Sequence, residues 1–317
     1  MKAVRYHSYG GAEVLVYEEV DRPVAGAGQV VVQVAGTAFN LLDAAIRGGL
    51  VREVFPVELP HVPGYDAAGV IAEVGEGVDG WSVGDAVVVF LPPLAPGAAA
   101  EYVAAPVEAL AAAPRTVELA DAATLPSVGL TAWQMLFEHA ELRSGQSVLI
   151  DGAGGAVGGY AVQLAAQAGA RVTAVAGRRS IERVRSYGAD RVVDYTAGPV
   201  ADALAGERFD VVLHLAPTSA DLTPTSPEEI ARLVELVVDG GVFLSTTTPG
   251  PSDAGRGVRA ERIFVRSDPD QLAELVARVD RGDLKIHVAE RVPLAELASV
   301  HARAAAGELL GKTVLIP

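Results

Sequence analysis

The sequence predicts an α/β protein with short β-strands near its start and a doubly wound parallel sheet in its centre. The first third is rich in valine, with glycine and proline at regular intervals, a composition typical of short strands joined by tight turns. From Asp121 onward, strand-like and helix-like segments alternate, which is typical of a parallel sheet with helices on both faces. The strand-like segments of this second region are centred on Val148, Val172, Val192, Val211 and Val242.

The first region contains three clear strand segments, at residues 29–34, 68–75 and 85–90. Short strands with close turns predict a compact or partly open β-barrel. A last apolar segment at 313–316 has the same pattern, so we expect the chain end to rejoin this region. Between them, amphipathic patterns predict helices at residues 271–281 and 293–306.

A glycine-rich turn at residues 152–159 separates two segments of different periodicity. An apolar, strand-like run at 147–150 precedes it, and a helix-like segment at 160–169 and a second strand at 171–176 follow. A strict G-x-G-x-x-G from Gly152 fails because Val157 occupies the sixth place, whereas A-x-G-x-x-G from Ala153 fits. Strand, glycine turn, helix and strand form the first unit of a Rossmann dinucleotide-binding fold. The alternative is a plain structural turn in a glycine-rich chain.

The end of the second strand bears on which dinucleotide binds. NAD sites usually carry an acidic residue there, which holds the ribose 2′-hydroxyl. This chain has Gly177 followed by Arg178 and Arg179, and guanidinium groups pair with a 2′-phosphate. The pattern favours NADPH over NADH. Solvated charges at the start of the next helix are the alternative.

The glycine turn and the carboxyl ends of the strands give the candidate cofactor-binding residues, because ligands of open parallel sheets lie at that edge. These are Gly152, Ala153, Gly154, Gly155, Ala156, Val157, Gly158, Gly177, Arg178, Arg179, Leu215, Ala216, Ser245 and Thr246.

Composition excludes several other functions. The 317 residues contain no cysteine, which excludes disulfides, thiolate metal sites and thiol nucleophiles. The formal charge of −15 argues against nucleic acid and anionic membranes as partners. No apolar run is long enough to span a bilayer, and the start does not resemble a signal peptide, so we expect a cytoplasmic protein.

Several short motifs, in this order, resemble the medium-chain dehydrogenase/reductase family, and within it the zinc-free, zeta-crystallin-like quinone oxidoreductases. The motifs are N-x-x-D at 40–43, P-G-Y-D at 63–66, G-D-A-V at 84–87, G-L-T-A-W at 129–133 and G-K-T-V-L at 311–315. The resemblance implies a GroES-like β-barrel catalytic domain at residues 1–122 and 264–317. It also implies a Rossmann nucleotide-binding domain at 123–263, and a homodimer.

The same resemblance predicts whether the protein binds a zinc ion. Zinc-dependent relatives have C-x-x-D where this chain has Asn40 to Asp43, G-H-E where it has Gly64 to Asp66, and a further cysteine near Ser127. Asn40, Tyr65 and Ser127 do not form a tetrahedral zinc site, so we expect no metal. His61 and Asp66 are a second possible pair of metal ligands. The alternative is that His61 lies in a loop and is hydrogen-bonded by the backbone.

Without a Lewis acid, hydride transfer to a conjugated acceptor is favoured over alcohol oxidation, because conjugation spreads the incoming charge. The resemblance therefore implies NADPH-dependent reduction of quinones or α,β-unsaturated carbonyl compounds. It places Asn40 and Thr131 near the nicotinamide and Tyr195 at the 2′-phosphate. Helix capping is the alternative for Asn40 and Thr131. Asp43 is a candidate acid or a buried structural carboxyl, and solvent is the other proton source.

Two other functions stay open at this point. One is an enoyl reductase acting on thioester intermediates of secondary metabolism. The other is a non-catalytic NADPH-binding protein with a regulatory role. Turnover of simple quinones with NADPH separates the enzymes from the binding protein.

Overall fold

A computed structural model describes residues 1–216 and 225–317. The chain divides into two compact units. The first unit comprises Met1–Leu130 and Ser267–Pro317, and the second comprises Thr131–Arg266. These limits lie a few residues beyond the domain boundaries of the sequence analysis, at 122 and 263.

The strands, in chain order, are Lys2–Tyr6 (β1), Leu15–Glu19 (β2), Gln29–Ala38 (β3), Asp66–Val74 (β4), Ala86–Phe90 (β5), Tyr102–Pro106 (β6), Leu110–Ala112 (β7), Ser147–Asp151 (β8), Arg171–Ala176 (β9), Arg191–Asp194 (β10), Phe209–His214 (β11), Val237–Ser245 (β12), Arg259–Arg262 (β13), Glu290–Pro293 (β14) and Thr313–Ile316 (β15). The helices are Leu41–Gly48 (α1), Leu119–Ala122 (α2), Pro126–Trp133 (α3), Ala156–Gln167 (α4), Ile181–Ser186 (α5), Val200–Ala203 (α6), Pro227–Val234 (α7), Pro269–Asp280 (α8) and Leu297–Ala305 (α9).

In the first unit, residues 1–130 and 267–317 form a sheet in the order β14-β15-β3-β4-β5-β7, and β6 pairs with β3. Strand β3 is central because it pairs with β4, β6 and β15, with register shifts that bend it. The pairing of Val314 with Ala38 confirms that the closing strand rejoins the N-terminal region. Strands β1 and β2 form a separate two-stranded sheet.

In the second unit, the described residues of 131–266 form one parallel sheet in the order β10-β9-β8-β11-β12-β13. Numbered within this unit, the order is 3-2-1-4-5-6, which is the Rossmann order. The direction of winding reverses between β8 and β11, and ligands bind at such a point, outside the carboxyl ends of the strands. The sheet core is apolar, with Leu149, Val212 and Phe243 fully buried.

Two helix limits differ from the sequence expectation. Helix α4 begins at Ala156, so Gly158 and Gly159 lie in its first turn and not in the preceding loop. The region 293–306 begins as strand β14 and a short 3₁₀ turn before α9, because Glu290–Pro293 pairs with β15. Among the described residues, no helix has both the length and the apolar character needed to cross a bilayer.

A buried histidine makes the stability of the first unit depend on pH. His301 of α9 is 1% exposed and packs edge-on against Phe39, with ring centroids 4.8 Å apart. Neither ring nitrogen has a hydrogen-bond partner among the described residues. Burial, with Arg47 as a smaller contribution, lowers the pKa of His301 to about 3. The folded protein therefore keeps this ring neutral at pH values where the unfolded chain protonates it.

We expect His301→Phe to remove part of the acid sensitivity of folding. The unfolded imidazole binds a proton below pH ~6.5 and the folded one does not, so wild type loses stability as the pH falls from that value toward 3. Urea unfolding at pH 7.5 and at pH 4.5 measures the difference. His287→Phe at an exposed position is the control. An equal loss of free energy of unfolding in wild type and His301→Phe contradicts the assignment.

Candidate nucleotide-binding and catalytic residues

The glycine turn after β8 is shaped by two close backbone approaches. Gly152 has a φ of +91°, and a Cβ there would lie 2.8 Å from the backbone nitrogen of Ala216. A Cβ on Gly158 would lie 2.2 Å from the carbonyl oxygen of Gly152. Neither position tolerates a side chain without a shift of backbone, which explains both glycines. The A-x-G-x-x-G alignment ends on this Gly158.

The start of α4 presents free N–H groups at the end of β8. Gly155 is the N-cap residue, and no side chain caps the helix there. In the first turn of a helix the N–H groups of Ala156, Val157 and Gly158 have no carbonyl partner within the helix, so they suit an anion. Because Gly155 lacks a side chain, a phosphate can approach this backbone closely. The turn therefore fits the pyrophosphate of a dinucleotide.

Arg183 holds the middle of the turn, a role that sequence reasoning missed. Its Nη2 donates to the carbonyl oxygen of Gly154 at 2.7 Å and to Oγ of Ser180 at 3.1 Å. A Cβ on Gly154 would lie 3.0 Å from Ser180. Ala153 is fully buried, and its N–H donates to Val175. The loop is thus fixed to β9 and α5 before any ligand binds.

The ends of β9 and β10 bring the predicted 2′-phosphate residues together. Ala176 pairs with Asp194, so Gly177 and Tyr195 follow at the same edge. A Cβ on Gly177 would lie 3.1 Å from the Tyr195 hydroxyl oxygen. Arg178 is 79% exposed and donates from Nε to Asp194 Oδ2 at 3.2 Å. Arg179, in the same turn, is also exposed. The structure thus gathers Gly177, Arg178, Arg179 and Tyr195.

A buried hydrogen-bond chain lies at the carboxyl ends of β8 and β11. His214 Nδ1 is 2.7 Å from Asp151 Oδ2, and its Nε2 is 2.8 Å from Thr225 Oγ1. The N–H of Thr225 in turn donates to Thr248 Oγ1 at 3.1 Å. The sequence analysis assigned Thr225 no role. The chain connects the segments after three neighbouring strands. The spacing of these residues along the sequence gave no signal for it.

The remaining candidates of this unit differ in exposure. Leu215 and Ala216 are partly exposed at the switch point, and the Leu215 N–H donates to Asp151. Ser245 is fully buried, and its hydroxyl accepts from the N–H groups of Thr247 and Thr248, each at 3.2 Å. Thr246 is partly exposed beside it. Thr131 is buried in α3. Their contacts with a cofactor stay predictions.

In the first unit, Asn40 belongs to a buried polar cluster with Asp66, Ser127 and Lys312, which we call the Asp66 cluster. Asn40 Nδ2 donates to Asp66 Oδ2 at 2.9 Å and to the Ala38 carbonyl at 3.2 Å. Its Oδ1 accepts from the Lys312 ammonium. Asn40 also stands at the N-cap of α1, as the capping interpretation expected. Its side-chain amide is therefore fully engaged within this unit.

Asp66 is the acceptor at the centre of the cluster. Its Oδ1 accepts from the Ser127 N–H at 2.8 Å, and its Oδ2 accepts from the Ser127 hydroxyl at 2.5 Å. Lys312 Nζ lies 3.8 Å from Oδ2. Burial raises the pKa of Asp66 and lowers the pKa of Lys312, and each opposes the shift of the other by its charge. Lys312 carried no assigned role in the sequence analysis, although its G-K-T-V-L motif was visible.

Asp43 lies next to the cluster and is held by backbone groups. Its Oδ2 accepts from the Asn40 N–H at 2.9 Å and its Oδ1 from the Gly64 N–H at 3.1 Å. Burial raises its pKa to about 7, and the charge of Asp66 adds to the shift. Both oxygens thus serve the fold, which favours the structural interpretation of Asp43.

His61 packs edge-on against Tyr6, with ring centroids 5.5 Å apart. Its backbone pairs with that of Tyr6, which agrees with the interpretation of His61 as a structural residue held by the backbone. Burial lowers the pKa of His61 to about 4. Among residues 1–216 and 225–317, no three His, Asp or Glu side chains come together as a metal site would require.

Comparison with known proteins identifies the family. The alcohol dehydrogenase GroES-like domain matches residues 26–115, and a family model described as zinc-binding dehydrogenase matches residues 187–315. Quinone-oxidoreductase QR1 of Triphysaria versicolor is 31% identical over 326 residues, covering all of this chain and 98% of that protein. The chain belongs to the medium-chain dehydrogenase/reductase family. Its relatives place it among the quinone oxidoreductases of that family, as the motifs implied.

Other members support this placement. The NADPH-dependent alkenal/one oxidoreductase of Arabidopsis thaliana is 31% identical over 332 residues, which cover this whole chain and 80% of that protein. The solved quinone oxidoreductase of Coxiella burnetii superposes with a TM-score of 0.88 at 26% identity, over all of this chain and 99% of that one. The GroES-like and Rossmann architecture is thereby confirmed.

Two neighbouring glycines of α4, Gly158 and Gly159, give a matched test of the proposed nucleotide-binding turn. We expect Gly158→Ala to weaken dinucleotide binding by at least ~10-fold, because the new Cβ would displace Gly152 and the backbone proposed to bind phosphate. Overpacking of this kind costs about 1–3 kcal/mol, which is enough to account for such a loss. In Gly159→Ala the nearest side chain to the new Cβ among the described residues is Tyr187, at 3.5 Å, so binding should stay near wild type. Fluorescence titration with NADPH measures both. Equal affinities of the two variants contradict the proposed turn.

Proposed function

We propose that the protein is an NADPH-dependent reductase that transfers hydride to quinones or α,β-unsaturated carbonyl compounds without a metal ion. The observation that carries the proposal is similarity over the full chain to enzymes named for these reactions. Besides the quinone and alkenal/one oxidoreductases, a tomato 2-methylene-furan-3-one reductase is 30% identical over 332 residues. The glycine turn at the end of β8 supports a dinucleotide as the cofactor.

The residues of the second unit would hold the cofactor by its phosphates. The N–H groups at the start of α4 suit the pyrophosphate, and Arg178 and Arg179 suit the 2′-phosphate. Tyr195 is 57% exposed, at the same edge as these arginines. Asp194 holds Arg178 in place and stays ionised, since hydrogen bonds from Thr196 and Arg178 lower its pKa. Bound NADPH supplies the hydride.

The contacts within the first unit support chemistry without a metal. Asn40 and Ser127 stand at or near positions where zinc-dependent relatives place ligands, and here both donate to Asp66, while Asn40 also accepts from Lys312. A conjugated acceptor spreads the charge that hydride brings, so it needs less electrophilic help than an isolated ketone. With both Asp43 oxygens engaged by the backbone, solvent supplies the proton that completes the reduction.

An enoyl reductase acting on thioesters is the second candidate. The observation that favours it is the likeness to the solved CurK enoyl reductase, with a TM-score of 0.84 at 26% identity over 99% of this chain. A homodimer and a cytoplasmic location are further proposals. For the dimer, β13 offers a sheet edge in the second unit, and light scattering after gel filtration tests it.

Oxidation of NADPH, followed by its absorbance in the presence of EDTA, tests the function. We expect turnover of 9,10-phenanthrenequinone, 1,4-benzoquinone or a 2-alkenal, unchanged by the chelator. Turnover of a crotonyl thioester alone would favour the enoyl reductase. Binding of NADPH with no reduction of any acceptor would favour a binding protein and contradict the proposal.

We expect the double variant Arg178→Gln, Arg179→Gln to raise KM for NADPH while leaving KM for NADH within about twofold. A charge-assisted hydrogen bond contributes about 1.5–3 kcal/mol, so the loss should be roughly 10- to 100-fold. Arg185→Gln is the control, because Arg185 is exposed in α5 and pairs with Glu182. If the double variant affects NADPH and NADH equally, or if wild type prefers NADH, the 2′-phosphate assignment is wrong.

A further inference from the structure

Lys312 is an unusual lysine. The chain has only three, at 2, 285 and 312. Lys285 is exposed and Lys2 is partly exposed, but the side chain of Lys312 is only 5% exposed. Burial of an ammonium group is costly unless it is paired and hydrogen-bonded. The first unit retains this charge at the start of β15, next to the residues that line up with metal-ligand positions.

The partners of Lys312 come from two other segments. Its Nζ donates to Asn40 Oδ1, at the end of β3, and lies 3.8 Å from Asp66 Oδ2, at the start of β4. Ser127 of α3 holds the same carboxylate by its N–H and its hydroxyl. The ammonium therefore faces two oxygen-bearing side chains of the Asp66 cluster, and Ser127 is linked to it only through the Asp66 carboxylate.

The charges of this region show what Lys312 contributes. Asp66 and Asp43 are the acidic groups, and Lys312 is the basic group that faces them. Reduction of a conjugated acceptor places a negative charge on its oxygen. Carboxylates without a nearby cation would oppose that charge, whereas a fixed cation in a site of low dielectric constant favours it.

We infer that Lys312 is a positioning residue of the reduction, supplying the fixed positive charge that a zinc ion supplies in metal-dependent relatives. The inference rests on the proposed function. Hydride adds to the β-carbon of the acceptor, the C=C electron pair moves toward oxygen to give an enolate, and a proton from solvent completes the product. Lys312 keeps its own proton throughout. It acts by holding Asn40 and Asp66 and by its charge.

The absence of cysteine allows this charge to be removed and restored chemically. Lys312→Cys should lower kcat about 100-fold, the scale of losing one electrostatic stabiliser, with the Kd for NADPH unchanged. Alkylation of the unfolded variant with 2-bromoethylamine rebuilds a lysine-like ammonium, and we expect kcat to recover at least 10-fold after refolding. Alkylation with iodoacetamide gives a neutral side chain and should restore nothing. Lys285→Cys, treated in the same ways, should keep wild-type kcat.

A second variant separates this role from mere neutralisation of Asp66. Asp66→Asn, Lys312→Met removes both charges of the pair, so its melting temperature should exceed that of Lys312→Met while its kcat stays about 100-fold low. Recovery of wild-type kcat in the double variant would overturn the inference. So would equal kcat values for the aminoethylated and carbamidomethylated proteins. A wild type that reduces no acceptor refutes the proposed function, and the inference falls with it.

Discussion

The buried pair of Asp66 and Lys312 is the interaction on which the first unit depends. Its members come from β4 and from the last strand of the chain, and Asn40 and Ser127 add the end of β3 and the start of α3. Four segments far apart in sequence therefore meet at one buried polar centre. Loss of one charged partner leaves the other buried without compensation, which is typically more harmful than loss of both.

The second unit is organised by backbone rather than by charge. Gly152 and Gly158 let the end of β8, the start of α4 and the segment after β11 approach within distances that exclude a Cβ. Arg183 and the His214 chain fix the surrounding loops. The backbone that we propose to bind phosphate is thus formed by the fold itself, which would reduce the ordering needed when a dinucleotide binds. In the proposed function, the second unit recognises the cofactor and the first unit provides the polar Asp66 cluster.

Local patterns explain how much the sequence could predict. The turn at 152–159 was recognisable because strand, glycine turn and helix are adjacent in sequence, and the arginines followed from the end of the next strand. The limits of α4 were less clear, because Gly158 and Gly159 look like loop residues until close packing explains them. The contact of Asn40 with Lys312 joins residues 272 positions apart, and no local pattern reveals such a pair. The same holds for Asp151 and His214, which meet only through the pairing of β8 and β11.

The most direct measurement is the fate of the transferred hydrogen in protein stripped of metal ions. NADPH deuterated at C4 of the nicotinamide, on one face at a time, would be given to the metal-depleted protein with a 2-alkenal. We expect deuterium from one face to appear at the β-carbon of the saturated product, and added zinc to leave the rate unchanged. A rate that falls on metal removal and returns with zinc, or a product without deuterium, would contradict this expectation.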